Sequence, residues 1–205
     1  MTRAVFLDRD GVINPMWRDR ARDTVDSPAE ADQFSLLPAV GASIAALNEA
    51  SYLVVVVSNQ PGIAKAKFSL SALQAVTERM HAMLRASGAR LDGVYYCPHH
   101  PDGTVTEYRV ECKCRKPRPG LILQAQRELG IDLARSIMVG DRVKDVQAGS
   151  RAGCRTVRIV DPNVQISQES AEDPDALPDW TAASLPEAVK LLMRDTVTTI
   201  TRPSR

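Results

Sequence analysis

Short apolar segments rich in β-branched residues alternate along this chain with longer segments of helical periodicity. The nearly unbroken apolar run at 52–57 is typical of a strand buried on both faces of a parallel sheet. In the segment 38–50, a proline stands at the predicted start of a helix, and Val40, Ile44 and Leu47 follow at helical spacing. Strands are predicted over residues 4–7, 52–57, 94–96, 136–139 and 155–160, and helices over residues 38–50, 70–87, 120–129, 143–152 and 185–193. This alternation predicts an α/β fold built on a parallel sheet with right-handed crossovers.

Two long segments lack periodicity. Residues 161–179 are rich in proline and acidic residues, and we expect a loop there. Residues 97–118 contain Cys, His, Pro and Gly, and a loop of that length inside a compact domain needs its own source of order. We expect one domain over residues 1–195 that includes this loop, followed by a frayed tail at 196–205.

Composition excludes several classes of protein. The chain has 205 residues, 44% of them hydrophobic and 25% charged, and its formal net charge is +1. A near-neutral balance argues against a nucleic-acid-binding protein that depends on a large positive field. No apolar run approaches the roughly 20 residues of a membrane span, and no segment resembles a signal peptide. We therefore expect a cytoplasmic protein without a membrane or nucleic-acid partner.

Polar side chains follow three of the predicted strands at the point where each strand ends. Asp8 and Asp10 follow the first strand, Ser58 follows the second, and Asp141 with Asp145 follows a later one. Ligands of open parallel sheets bind beyond the carboxyl ends of the strands, so these groups should converge at one edge. Solvated loop acids would explain Asp8 and Asp10 alone, but not the matching groups on the other strands. Converging carboxylates favour a hard cation such as Mg²⁺ beside a phosphate.

Six segments carry a resemblance to a known family: FLDRDGVIN at 6–14, SNQPGIA at 58–64, YYCPHHPDG at 95–103, CKCRKPRPG at 112–120, VGDRVKD at 139–145 and AGCRTV at 152–157. Together they resemble the haloacid dehalogenase superfamily of phosphatases, over about residues 3–160. The resemblance implies a three-layer, Rossmann-like parallel sheet with no large cap. Within the superfamily, the segments are similar to phosphatases that remove the 7-phosphate of D-glycero-D-manno-heptose 1,7-bisphosphate. Histidinol-phosphate phosphatases share several of these motifs and are the main alternative.

The resemblance implies a role for each of the acidic residues. Asp8 would attack phosphorus and form an aspartyl-phosphate. Asp10 would protonate the leaving sugar oxygen and then accept a proton from the hydrolytic water. Mg²⁺ would bind the carboxylates of Asp8 and Asp141 and the backbone carbonyl of Asp10. Asp145 would either hydrogen-bond a metal ligand, which we favour, or only cap the following helix.

Phosphate recognition follows from the same resemblance. Ser58 and Asn59 would donate hydrogen bonds to the transferring phosphoryl group, and Lys116 would neutralise its charge. Gln60 is a further candidate for contact with the substrate. A bisphosphate also needs positive charge at its second phosphate, and Arg115 and Arg142 are our candidates because arginine binds phosphate through two nitrogens. We expect a small phosphorylated sugar as substrate.

Four residues in the long loop form a metal-ligand pattern. Cys97 stands just before His99 and His100, and Cys112 is separated from Cys114 by one residue. Such pairs can close a tetrahedron of three cysteines and one histidine around a structural Zn²⁺, which would order the loop. Either histidine fits the spacing; the family resemblance selects His99. The alternative is a set of reduced, buried cysteines.

Two other interpretations are weaker. A polynucleotide 3′-phosphatase is disfavoured by the net charge, and the absence of interleaved aromatic residues around 109–118 argues against a nucleic-acid patch there. A non-catalytic binding module with this fold would be expected to lack at least one of the five catalytic positions, and all five are present: Asp8, Asp10, Ser58, Lys116 and Asp141. We expect a monomer.

Overall fold

The computed structural model describes residues 2–19, 23–160 and 174–195. The predicted tail at 196–205 and most of the predicted loop at 161–179 lie outside these residues. The main sheet has six parallel strands in the order β5-β4-β1-β6-β7-β8. These are β1 Ala4–Leu7, β4 Leu53–Asn59, β5 Gly93–Cys97, β6 Ile137–Gly140, β7 Arg155–Ile159 and β8 Trp180–Ala182. The prediction of an α/β parallel sheet is confirmed.

Helices cover both faces of the sheet, which gives three layers. They are α1 Val40–Glu49, α2 Leu70–Ala86, α3 Gly120–Leu129, α4 Val143–Ala152 and α5 Leu185–Asp195. Val5 and Leu7 of β1 face a core shared with α1, α2 and α5, whereas Phe6 faces a second core shared with α3 and α4. Because successive side chains of a strand point to opposite faces, β1 is buried on both sides, as its unbroken apolar sequence predicts.

The ends of the predicted helices agree with the structure to within about two residues. Helix α1 begins at Val40 rather than at Pro38, since Ala39 adopts a left-handed conformation with φ of 59°. Helix α3 ends at Leu129 and is capped by Gly130, which has φ of 64°, a conformation that glycine adopts without steric cost. None of the helices among the described residues is long and apolar enough to cross a membrane.

Three strands were not predicted. Strands β2 Trp17–Asp19 and β3 Thr24–Asp26 pair antiparallel in a separate two-stranded sheet. Strand β8 adds to the edge of the main sheet beside β7. Each of these strands has three residues, too few for a period-2 pattern to be recognised. The hairpin matters for function because it stands beside the carboxyl end of β1.

Candidate active site and metal-ligand cluster

The carboxyl ends of β1, β4 and β6 bring the predicted polar residues to one edge of the sheet. Asp8 directly follows β1, Ser58 is the penultimate residue of β4, and Asp141 directly follows β6. An open cavity of about 170 Å³ lies above them. Its lining residues are Asp8, Asp10, Met16, Asp26, Ser27, Ser58, Asn59, Pro61, Arg115, Asp141, Arg142 and Lys144. The polar residues at the ends of these parallel strands therefore converge, as expected.

Lys116 lies between two carboxylates under this cavity. Its ammonium group is 3.0 Å from Oδ1 of Asp8 and 2.6 Å from Oδ1 of Asp145, and all three residues are buried. Burial acts to raise the pKa of Asp8, but the Lys116 charge and a hydrogen bond from Ser58 outweigh it and lower the pKa below its ordinary value. Asp8 is therefore held as an ionised carboxylate, the form that a nucleophile requires.

Asn59 fixes the backbone of Lys116. Its Nδ2 donates to the Lys116 carbonyl at 3.0 Å, and its Oδ1 accepts from the Lys116 amide at 3.0 Å. Both polar atoms of the Asn59 side chain therefore form hydrogen bonds within the protein, although the residue borders the cavity. Donation from Asn59 to the phosphoryl group stays a prediction; in the structure its side chain positions Lys116.

A network of donors surrounds the carboxylate of Asp10. Arg9 reaches it through Nε and Nη2 at 3.1–3.2 Å, and Asn14, Gln60 and Ser27 donate to it at 2.9, 2.9 and 2.8 Å. Arg9 is fully buried, and its guanidinium group lies 5.6 Å from the centroid of the Tyr96 ring. The network fixes the orientation of Asp10 towards the cavity.

Gln60 belongs to this network and not to the surface of the cavity. Its side chain is fully buried, and its amide contacts Asp10, Ser58 and Arg9. Contact of Gln60 with the substrate stays a prediction; in the structure its buried amide holds Asp10 and Ser58 in place. Arg9 was not a predicted site residue, because a basic residue between two aspartates gives no sign that it points into the core.

Asp141 completes a cluster of carboxylates that can hold a cation. Oxygens of Asp8, Asp141 and Asp145 lie within 4.8 Å of one another. Burial raises the pKa of Asp141 to about 7, and the neighbouring charges of Asp145 and Asp8 add to that effect. A divalent cation would relieve this uncompensated charge, so the donor set fits Mg²⁺. Gly11 permits the cluster, since it has φ of +85° and a Cβ there would lie 2.5 Å from Oδ2 of Asp141.

Asp145 serves two groups at once. Its Oδ2 accepts a hydrogen bond at 3.0 Å from the backbone amide of Arg142, at the start of α4, and its Oδ1 pairs with Lys116. The sequence left two roles open, a hydrogen bond to a metal ligand or a helix cap. The structure gives the cap together with a contact to Lys116.

Three cysteines and one histidine meet in the long loop. The sulfur atoms of Cys97, Cys112 and Cys114 are 3.2–3.5 Å apart, and Nδ1 of His99 lies 3.4 Å from Cys114 and 3.7 Å from Cys97. All three cysteines are free. A tetrahedral zinc ion with sulfur at about 2.3 Å separates its sulfur ligands by about 3.8 Å, so the spacing fits a metal centre. His100 instead accepts a hydrogen bond from the backbone amide of Asp102 through its Nδ1.

The arginines proposed for the second phosphate both border the cavity. Arg115 follows Cys114 directly and donates to the carbonyl of His99 at 3.2 Å, so the cysteine cluster fixes its position. Arg142 pairs with Asp141 at 3.2 Å. Lys144, which was not a predicted site residue, also lines the cavity.

A second cavity of about 440 Å³ adjoins the first and shares Asp26 and Ser27 with it. The hairpin β2–β3 forms one wall, where Trp17 is 41% exposed. Lys67 stands on the opposite wall and forms an ion pair with Asp26 across the boundary between the two cavities.

Comparison with known proteins gives consistent relatives. A family model described as HAD-hydrolase-like matches residues 113–188. The chain is 41% identical over 192 residues to the D-glycero-beta-D-manno-heptose-1,7-bisphosphate 7-phosphatase of Yersinia pestis, covering 91% of this chain and 95% of the relative. It is 40% identical over 192 residues to the protein of the same name from Escherichia coli K12, covering 91% and 93%.

A solved structure agrees with these relatives. It is the D,D-heptose 1,7-bisphosphate phosphatase from B. bronchiseptica, complexed with magnesium and phosphate. It superposes with a TM-score of 0.73 and 30% sequence identity, covering 94% of this chain and 99% of that one.

Proposed function

The chain belongs to the D-glycero-beta-D-manno-heptose-1,7-bisphosphate 7-phosphatases of the HAD-like hydrolases, and from this membership we propose that it removes the 7-phosphate of that bisphosphate. The observation that carries the proposal is the buried pair of Asp8 and Lys116 below an open cavity. It places an ionised nucleophile and a fixed positive charge together at the point where a phosphoryl group would enter.

In the first step, the carboxylate of Asp8 attacks phosphorus, and the bond between phosphorus and the C7 oxygen breaks. The phosphoryl group is then bound to Asp8 as an aspartyl-phosphate. Asp10 donates a proton to the departing sugar oxygen, which leaves as an alcohol. The donors around Asp10 hold its carboxyl group in one orientation for this transfer.

In the second step, Asp10 accepts a proton from a water molecule, and the water oxygen attacks the same phosphorus atom. The bond to Asp8 breaks, inorganic phosphate is released, and the Asp8 carboxylate is regenerated. The low pKa of Asp8 helps here as well, since it makes Asp8 a better leaving group.

Ser58, with its hydroxyl beside Asp8, and Lys116 are the groups we assign to the transferring phosphoryl oxygens. Lys116 keeps its positive charge although it is buried, because the carboxylates of Asp145 and Asp8 raise its pKa. Asn59 contributes by holding the Lys116 backbone. Arg115 and Arg142, at the border of the cavity, remain our candidates for the rest of the substrate.

We assign Mg²⁺ to the carboxylates of Asp8 and Asp141 and to the backbone carbonyl of Asp10. When bound, this cation reduces the repulsion between the attacking carboxylate and the phosphate dianion. The raised pKa of Asp141 and its nearness to two other carboxylates support the assignment. The magnesium in the related B. bronchiseptica structure is consistent with it.

We assign a structural Zn²⁺ to the cluster of Cys97, His99, Cys112 and Cys114, because the distances and the ligand types suit it. Such an ion would stabilise the loop that presents Arg115 and Lys116. We still predict that the protein is a cytoplasmic monomer that acts on a small phosphorylated sugar.

The test is Mg²⁺-dependent phosphate release from D-glycero-D-manno-heptose 1,7-bisphosphate and from histidinol phosphate, compared as kcat/KM on one preparation. We expect a preference of about 100-fold or more for the bisphosphate, which corresponds to roughly 2.7 kcal/mol of transition-state free energy. A preference for histidinol phosphate would leave the roles of Asp8 and Asp10 intact and would refute the assignment of the substrate.

A further inference from the structure

Three cations border the cavity, and they differ in what they already bind. Arg142 is paired with Asp141, and Arg115 donates to the carbonyl of His99. Lys144 is partly exposed and has no ion pair or side-chain hydrogen bond within residues 2–19, 23–160 and 174–195. It is therefore the cation of this cavity whose ammonium group is available to a ligand.

The position of Lys144 is fixed by its neighbours. It lies in the first turn of α4, between Val143, which is buried, and Asp145, which caps the helix and pairs with Lys116. The ammonium group is thus directed towards the cavity from a rigid helical turn, and the amino end of α4 adds positive potential there.

Among the described residues that line the opposite side of the cavity, no cation is unpaired. Asp26 stands at the boundary with the second cavity, and the cation on that side, Lys67, is paired with it. A second phosphate placed there would meet a carboxylate and would have to break an ion pair. Electrostatics therefore favour the α4 side for the end of the substrate that does not react.

We propose that Lys144 binds the second phosphate of the substrate, the one at C1, while the 7-phosphate is attacked by Asp8. This inference rests on the proposed bisphosphate substrate. Lys144 acts there beside Arg115, which approaches the cavity from the cysteine-rich loop. Its effect is on specificity: the interaction is made only by sugars that carry a second phosphate, and it does not touch the reacting phosphorus atom.

The test compares two substrates that lose the same 7-phosphate, heptose 1,7-bisphosphate and heptose 7-phosphate. The measured quantity is the ratio of their kcat/KM values. In Lys144→Met, we expect this ratio to fall about tenfold to a hundredfold, mainly through a higher KM for the bisphosphate, because one charge-assisted contact is lost. Lys144→Arg should retain most of the ratio. Lys67→Met is the matched control, since it removes a lysine from the other side, and it should retain the ratio.

Several results would overturn the inference. An equal loss of kcat/KM on both substrates in Lys144→Met would mean that Lys144 acts at the reaction centre, and no change on either would mean that it does not bind substrate. A lower ratio in Lys67→Met alone would place the second phosphate in the other cavity. If the wild-type protein itself shows no preference for the bisphosphate, the proposed substrate fails first, and that result is distinct from the failure of Lys144 alone.

Discussion

The side-chain amide of Asn59 forms two hydrogen bonds with the backbone of Lys116, each 3.0 Å long. The two residues are 57 positions apart in sequence and belong to different parts of the fold, the end of β4 and the cysteine-rich loop. This pair joins the loop to the sheet at the residue whose ammonium group contacts Asp8. The position of the Lys116 ammonium group, to which we assign a catalytic role, thus depends on a neutral amide.

Replacing this amide should impair catalysis as well as stability. In Asn59→Leu, the amide and carbonyl of Lys116 lose their partners, and we expect the free energy of unfolding to fall by about 2 to 4 kcal/mol. We also expect kcat to fall about tenfold or more, because Lys116 is no longer held against Asp8. Urea denaturation and phosphate release measure the two effects. Asn48→Leu is the control: Asn48 accepts from the Arg90 amide away from the site, so it should lose stability and keep kcat.

The nucleophile can be tested with a substitution of equal size. Asp8→Asn removes the charge that attacks phosphorus, and we expect phosphate release to fall at least about a thousandfold. The fold should persist, as judged by circular dichroism, because the amide fits the same space and Lys116 keeps Asp145 as its partner. Asp32→Asn, an exposed position outside the cavity, should retain full activity. Near-normal turnover by Asp8→Asn would refute the mechanism.

The raised pKa of Asp141 predicts a pH-dependent stability in Mg²⁺-free buffer. An aspartate whose pKa is about 7 when folded and near 4 when unfolded binds more protons in the native state, so its contribution to stability is present at low pH and is lost as the pH rises through about 7. Asp141→Asn does not titrate. We therefore expect the variant to gain stability relative to the wild-type protein between pH 5 and pH 8.

Urea denaturation without a chelator is the appropriate measurement, because a chelator would also remove metal from the cysteine cluster. Addition of Mg²⁺ at pH 8 should stabilise the wild-type protein and leave Asp141→Asn unchanged, since binding to the native state alone raises stability. Equal pH profiles for the two proteins would contradict the assignment of a buried, protonated carboxyl group at residue 141.

The cysteine cluster offers a test with an internal control. Cys112→Ser removes one of the proposed zinc ligands, and we expect loss of the bound metal together with a lower melting temperature and a lower kcat. Cys154 is buried outside the cluster, and burial raises the pKa of its thiol to about 12. Cys154→Ala should therefore keep about one zinc per chain by elemental analysis. Metal loss in both variants, or in neither, would argue against the proposed ligand set.

The sequence predicted the main sheet and the convergence of the site because both follow from strong, local patterns. Apolar runs such as 52–57 are typical of strands buried on both faces, and residues at the carboxyl ends of parallel strands meet at one edge. Asp8, Ser58 and Asp141 could be placed together on this basis alone.

The partners of individual polar groups could not be predicted in this way. Asn59 and Gln60 lie at and just after the end of a buried strand, where the family resemblance predicts contacts with the substrate, and in the structure their amides hydrogen-bond to Lys116 and Asp10. Arg9 is buried by a network that forms only when distant segments pack together. Such choices depend on tertiary geometry, and a residue type one or two positions after a strand does not encode them. The hairpin β2–β3 was missed for a similar reason, since its short strands depend on pairing with each other.

The reacting groups of the site and the wall formed by the hairpin come from two different sheets. Asp8 and Asp141 directly follow β1 and β6 in the centre of the main sheet. Among the described residues, strands β2 and β3 pair with each other and form a separate sheet. Evolution can therefore vary the two independently: a new hairpin sequence changes which molecule fits, and the bond-breaking machinery is inherited unaltered. A library of variants confined to residues 17–26, which keeps the hydrogen bond from Ser27 to Asp10, would be the natural place to search for enzymes that dephosphorylate other sugars.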